Sequence, residues 1–132
     1  MILLDTHIWV WWVSRPDRLQ ARHRELLELG VDRVFGVSVI SCWEIAKLVE
    51  YGRLKLDRTV GLWMESALAE PGVSLLHLHP QIAVESTRLP QPFHRDPVDQ
   101  LLVATARVFQ CPIMTEDSKI AAYPHVRLAG SK

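Results

Sequence analysis

Five short, mainly apolar runs, two of them carrying one polar residue (Ser74 and Arg127), separated by amphipathic stretches constrain the fold of this chain more than any other feature. They are Met1 to Leu4, Val34 to Val37, Val73 to Leu76, Pro112 to Met114 and Val126 to Leu128. A strand with one wet face alternates apolar and polar residues, whereas a continuous apolar run suits a strand covered on both faces of a parallel sheet. Helical patterns lie between the runs: Ala21 to Leu29, Ser41 to Tyr51 with Ile45, Leu48 and Val49 at helical spacing, Val60 to Ala69, Gln81 to Leu89, and Asp96 to Phe109. The last is the clearest, with Leu101, Leu102, Thr105, Ala106 and Phe109 on one face. Strands alternating with helices predict an α/β fold with a parallel sheet and helices on both faces. At 132 residues, without repeat or linker, the expectation is one domain spanning residues 1–132.

Ligands of such sheets bind beyond the carboxyl ends of the strands, which singles out certain acids. Asp5 closes the first run, where a charge is costly unless paired or metal-bound; its alternative is an N-cap for the segment Thr6 to Trp12. Glu44 follows the second run and opens a helix, although Ser41 three residues earlier completes a capping box. Asp96 precedes Pro97, a common helix start, and Asp99 falls in the first turn, where the helix dipole favours a carboxylate. Asp117 follows the run ending at Met114 and, taken alone, reads as a turn or N-cap aspartate. Each has a structural explanation, but all five belong to one edge of one sheet. Two carboxylates in the turn Asp96 to Asp99 must push at least one pKa upward unless a cation lies between them.

Oxygen donors without a cysteine or paired-histidine motif select a hard ion, Mg²⁺ or Mn²⁺, rather than zinc. Cys42 and Cys111 form neither a metal spacing nor a disulfide framework, so a reducing cytoplasm is expected. A pocket of carboxylates around such an ion suits phosphodiester hydrolysis by activated water. Fifteen basic and fifteen acidic residues cancel, so nucleic acid requires a local basic patch. Candidates are Lys47, Arg53, Lys55 and Arg58, then Arg88, His94 and Arg95. The apolar stretch Ile8 to Val13 is too short to span a bilayer and has no basic region before it, so neither a membrane segment nor a signal peptide is expected.

The motifs L-L-D-T-H-I-W at Leu3 to Trp9, S-C-W-E-I-A-K at Ser41 to Lys47 with G-R-L at Gly52 to Leu54, H-R-D-P-V-D-Q-L-L-V-A-T-A at His94 to Ala106, and T-E-D at Thr115 to Asp117 occur in this order. Together they resemble the PIN-domain superfamily, and within it the VapC toxins of bacterial and archaeal type II toxin–antitoxin pairs. The resemblance covers nearly the whole chain. It implies a three-layer α/β/α fold around about five short parallel strands, Mg²⁺-dependent endoribonuclease activity, a homodimer, and a small antitoxin that blocks the site. By position, Asp5, Glu44 and Asp99 match the core acids, Asp117 a more variable fourth, and Asp96 the first acid of the D-P-x-D motif. Valine at 98, where the subgroup often has phenylalanine, is expected to alter packing rather than chemistry.

Thr6 is a candidate partner of a metal-bound water or ligating carboxylate, and otherwise a satisfied first-turn threonine. His94 and Arg95 are candidate phosphate contacts, or plain surface residues. His77 and His79 read as structural. Trp9, Trp11 and Trp12 are expected to fill the core, with any part of them left exposed a dimer or antitoxin surface. Two other functions fit some of these features: a PIN-like module that binds RNA or protein without cutting, and a haloacid-dehalogenase-type phosphatase. The second needs an aspartate two residues after the first, and His7 stands there.

Overall fold

The computed structural model describes residues 1–29 and 33–130. In chain order the elements are β1 (Ile2–Leu4), α1 (Thr6–Ser14), a 3₁₀ turn (Pro16–Arg18), α2 (Ala21–Glu28), β2 (Phe35–Ser38), α3 (Val39–Glu50), α4 (Val60–Leu68), β3 (Val73–Leu76), α5 (Pro80–Ser86), α6 (Pro97–Phe109), β4 (Ile113–Met114) and α7 (Ser118–Ala121). The four strands form one parallel sheet in the order β3-β2-β1-β4. The fifth run makes only an isolated parallel bridge, Leu128 to Ile113, beside β4.

Side chains alternate across a strand, and here the two faces seed two cores. Ile2 and Leu4 of β1, with Phe35, Val37 and Met114, pack with Ile8, Trp9, Leu27, Ile45 and Trp63 from α1 to α4. Leu3 and Ile113 turn the other way, onto Val98, Leu102, Val103 and Ala106 of α6 and Ile120 of α7. These are the three layers the sequence leads one to expect. β1 and β2 are buried throughout, as continuous apolar runs predict, but β3 is mostly half-buried. The reason is topological: β3 is an edge strand. Among the described residues no helix is long and apolar enough to cross a membrane.

One boundary differs in a way that bears on the site. The capping-box reading began the third helix at Ser41, yet Ser38 is the N-cap, its Oγ accepting from the Ile40 N–H at 3.1 Å. Ser41 lies inside the helix, fully buried, with its Oγ 2.9 Å from Thr6 Oγ1. Glu44 is therefore one turn beyond the first backbone donors and caps nothing, so the capping explanation for it fails.

Candidate active site

Each acid reaches the carboxyl edge of the sheet by a different local device. Asp5 leaves β1 and caps α1, and although charged it is buried to 4% exposure. Its burial is compensated: Oδ1 accepts from the Thr6 N–H at 2.7 Å and Oδ2 from the Thr115 hydroxyl at 2.6 Å. The second bond ties β1 to the segment after β4, 110 residues away. The Thr115 hydroxyl also accepts the Asp117 N–H at 3.0 Å, and Asp117 caps α7 through Lys119 N–H. Asp96 caps α6 by accepting from Val98 N–H, which places Asp99 in the first turn. The N-cap readings of Asp5, Asp96 and Asp117 are thus correct, and they coexist with convergence. Capping fixes the backbone of each residue at the sheet edge, and that fixes where its carboxylate stands.

Asp5, Glu44, Asp96, Asp99 and Asp117 all line one cavity of about 330 Å³, together with Thr6, His7, Trp11, Arg18, Arg53 and Leu54. Their mutual repulsion is concentrated on two members. Burial first, then the charges of Asp5, Asp96, Asp117 and Glu44, push the Asp99 carboxyl up to about 7. Burial also raises Glu44, opposed by a hydrogen bond from Thr6 and reinforced by Asp5 and Asp96. The upward push expected in the turn Asp96 to Asp99 falls on Asp99.

The surrounding side chains hold this cluster in place. His7 Nε2 accepts the Glu116 N–H at 3.1 Å, which leaves its proton on Nδ1, 3.5 Å from Asp5 Oδ2. Glu116 points out of the cavity, its Oε2 lying 2.8 Å from His23 Nδ1 and accepting from Gln20 N–H, which anchors α2 to the edge. His94 Nε2 is 3.0 Å from Asp99 Oδ2 but off the line of a hydrogen bond. Arg95 is exposed and does not line the cavity. Sequence reasoning overlooked His7, Ser41, Thr115 and Arg18. Only Thr115 carried a local signal, the alternation in T-E-D that points it and Asp117 away from Glu116.

The expected basic patch is partly spent. Lys47 pairs with Glu50 at 2.9 Å, Arg58 with Asp57 at 3.0 Å and Arg88 with Glu85 at 3.5 Å. Among the described residues Arg53 and Lys55 form no ion pair; Arg53 lines the cavity and Arg18 joins it there.

Could these residues hold a divalent ion? Among the described residues no three acidic, histidine or cysteine side chains already stand at the spacing that closes on one ion. Mg²⁺ does not require that, because it keeps several waters and takes one or two carboxylates plus substrate phosphate. An excess of carboxylates around a cavity wide enough for a hydrated ion fits such a cation, and free Cys42 and Cys111 do not line it.

A pH dependence follows from Asp99. A carboxyl whose pKa is raised on folding binds more protons in the folded than in the unfolded state between the two values, so stability falls with rising pH. For the metal-free protein we expect the contribution of Asp99 to stability to be greatest below about pH 4, to decline as pH rises toward 7, and to level off above. Thermal melts of wild type and Asp99→Asn across that range check this: the variant should lose most of the slope.

A parallel three-layer sheet with five acids converging at its carboxyl edge defines a class of acid-pocket α/β domains, and comparison places the chain within it. Residues 2–126 match the PIN domain family, and the chain belongs to that family. Within it the chain is of the VapC type: it is 32% identical over 126 residues, 96% of this chain and 94% of the relative, to Ribonuclease VapC22 of Mycobacterium tuberculosis. Solved structures share the fold at lower identity. The VapBC2 complex of Rickettsia felis bound to a promoter DNA fragment superposes with TM-score 0.71 at 15% identity, covering 98% of both chains. VapC20 of Mycobacterium tuberculosis, described as a sarcin-ricin loop cleaving toxin, gives 0.65 at 17%, covering 96% of this chain and 99% of that one.

Proposed function

We propose that this protein is a divalent-metal-dependent endoribonuclease, the toxin of a type II toxin–antitoxin pair, acting in the cytoplasm as a homodimer. Asp5, Glu44, Asp99 and Asp117 would hold Mg²⁺, or Mn²⁺ in its place, with Asp96 contributing to the same charge cluster. The observation that carries the reading is the convergence of five carboxylates on one cavity, with Asp99 held up to about 7 by burial and then by the charges of the others. The cation would supply Lewis acidity and a water of lowered pKa.

The chain's own groups do the rest. Asp5 is fixed by Thr6 N–H and the Thr115 hydroxyl, so it cannot swing away from the cavity. Thr6 and Ser41 link α1 to α3, and the Thr6 hydroxyl restrains Glu44 against its raised pKa. Hydrolysis forms one P–O bond to water and breaks one ester P–O bond, so a proton must leave the attacking water and another must reach the leaving oxygen. Asp99, whose carboxyl is held up to about 7 without metal, would give up its proton on binding the cation and so serve the step as a ligand.

The relatives support the biological setting. One is named a ribonuclease, and others were solved as toxin–antitoxin complexes, including one from Klebsiella pneumoniae. A cognate small antitoxin would cover the site. Trp43, which the sequence did not single out for this, is 53% exposed on α3 and would suit a partner or dimer surface.

The test is cleavage of single-stranded and loop-containing RNAs by purified protein. Cleavage should require Mg²⁺ or Mn²⁺, stop with chelator, and return on adding the ion. A folded protein that binds these RNAs but never cuts them with metal present would instead favour a non-cutting binding module.

A further inference from the structure

We propose that a second cavity, running from Trp11 toward the α3–α4 connection, is a subsite for single-stranded RNA flanking the scissile phosphate, with Trp11 as its base-stacking platform. This deepens the nuclease reading and rests on it. The cavity measures about 430 Å³, and Arg15, Arg18, Lys55 and Arg58 are among the residues lining it. It is not separate from the acid pocket: Val10, Trp11, Arg18 and Leu54 line both. The two form one trough, acidic at the end where a phosphate would be cut and basic at the other.

That polarity argues for a polyanion. The protein has no net charge, so a nuclease of this composition needs a local cationic track to offset the repulsion between its acids and a phosphate chain. Arg15 and Arg58 are engaged at 3.3 and 3.0 Å with their neighbours Asp17 and Asp57, but such exposed pairs are weak and open to exchange. Among the described residues Arg18 and Lys55 form no ion pair. Duplex recognition needs none of the aromatic surface present here, whereas single strands are held by a positive groove with aromatic rings on which bases stack. Trp11 is that ring. It is half-buried at the junction, and the Arg18 guanidinium already lies over it at 5.8 Å from the centroid. His7 meets the ring edge-on at 4.9 Å, so a base would take the place of the guanidinium on that face, with exposed Arg18 moving onto the adjoining phosphate.

The test measures binding in full-length protein carrying Asp99→Asn, so that cleavage does not interfere. The probe is a mixed-sequence single-stranded RNA oligonucleotide of about ten nucleotides, within the range of roughly 4–16 for single-strand sites. Adding Trp11→Ala should weaken binding about ten- to a hundredfold, the effect of losing one stacked base, while Trp11→Phe should retain most of it. Arg18→Ala and Lys55→Ala should each lower the slope of log affinity against log salt by about 0.7. Both are exposed, so they carry the test even where Trp11→Ala folds poorly. Unchanged affinity and salt slope in the folded variants overturn the proposal. So does a dependence on these cations seen only with a glutamate-rich peptide probe, which would make the trough a site for an acidic protein segment. The two readings fail separately: wild type that cuts RNA with metal while the trough variants bind normally defeats the subsite alone.

Discussion

Asp99→Asn is expected to lower RNA cleavage by more than about a hundredfold while leaving the protein folded and, at neutral pH without metal, at least as stable as wild type. The activity loss follows because Asp99 sits within the electrostatic reach of all four other acids, and loss of a ligand should exceed the 10–100-fold effect of changing an outer-sphere partner. The stability expectation has the opposite sign to that of an ordinary buried carboxylate. Asp99 is destabilised in its charged form by burial and like charges, so an amide of the same shape removes repulsion. Asp5→Asn should match the activity loss without the gain in stability, because Asp5 accepts two short hydrogen bonds from Thr6 N–H and Thr115 that an amide can satisfy only in part. Thermal melting and single-turnover cleavage of the two variants side by side separate the effects. Cleavage undiminished in both folded variants would remove the acid pocket from the mechanism.

Trp9→Ala is expected to be the most damaging core substitution, costing about 3–5 kcal/mol, a large part of the roughly 5–15 kcal/mol that holds a domain together. Trp9 is fully buried on α1, four residues after the Asp5 cap, and meets Trp63 of α4 edge-on at 5.2 Å. It therefore couples the helix that begins at the acid pocket to the outer layer. Its indole N–H is buried without an acceptor, a cost of about 1–3 kcal/mol that the wild type already bears. Trp9→Phe should accordingly be much milder than the lost volume alone implies, because it removes the orphan donor along with the ring. Chemical denaturation of the two variants decides the point, and equal losses would show that packing alone governs the site.

The sheet was legible because apolar runs reveal buried parallel strands, and the positions of Asp5 after β1 and Asp99 in the first turn of α6 follow from the same pattern. Glu44 was harder. The S-x-x-E spacing made Ser41 look like the cap, so only the fold showed that Ser38 caps the helix, that Ser41 is spent on Thr6 and that Glu44 is free for the cavity. The brace from Thr115 to Asp5 was out of reach, since it joins residues 110 apart that meet only once β4 lies beside β1. Charge was legible only in sum. Lys47 and Arg58 looked equal to Lys55 in the sequence, but Glu50 and Asp57 occupy them. Arg18 stood outside the patch until the 3₁₀ turn after α1 brought it over Trp11.

Under the proposed function the five carboxylates bind a divalent cation. Titration of Mn²⁺ into the purified protein, followed by the loss of free-ion signal in electron paramagnetic resonance, measures it directly. Wild type should take up Mn²⁺ with release of protons near neutral pH, Mg²⁺ should compete, and Asp99→Asn and Asp5→Asn should each lose most of the uptake. A wild type that binds no Mn²⁺, or that binds it as tightly in both variants, would contradict the account.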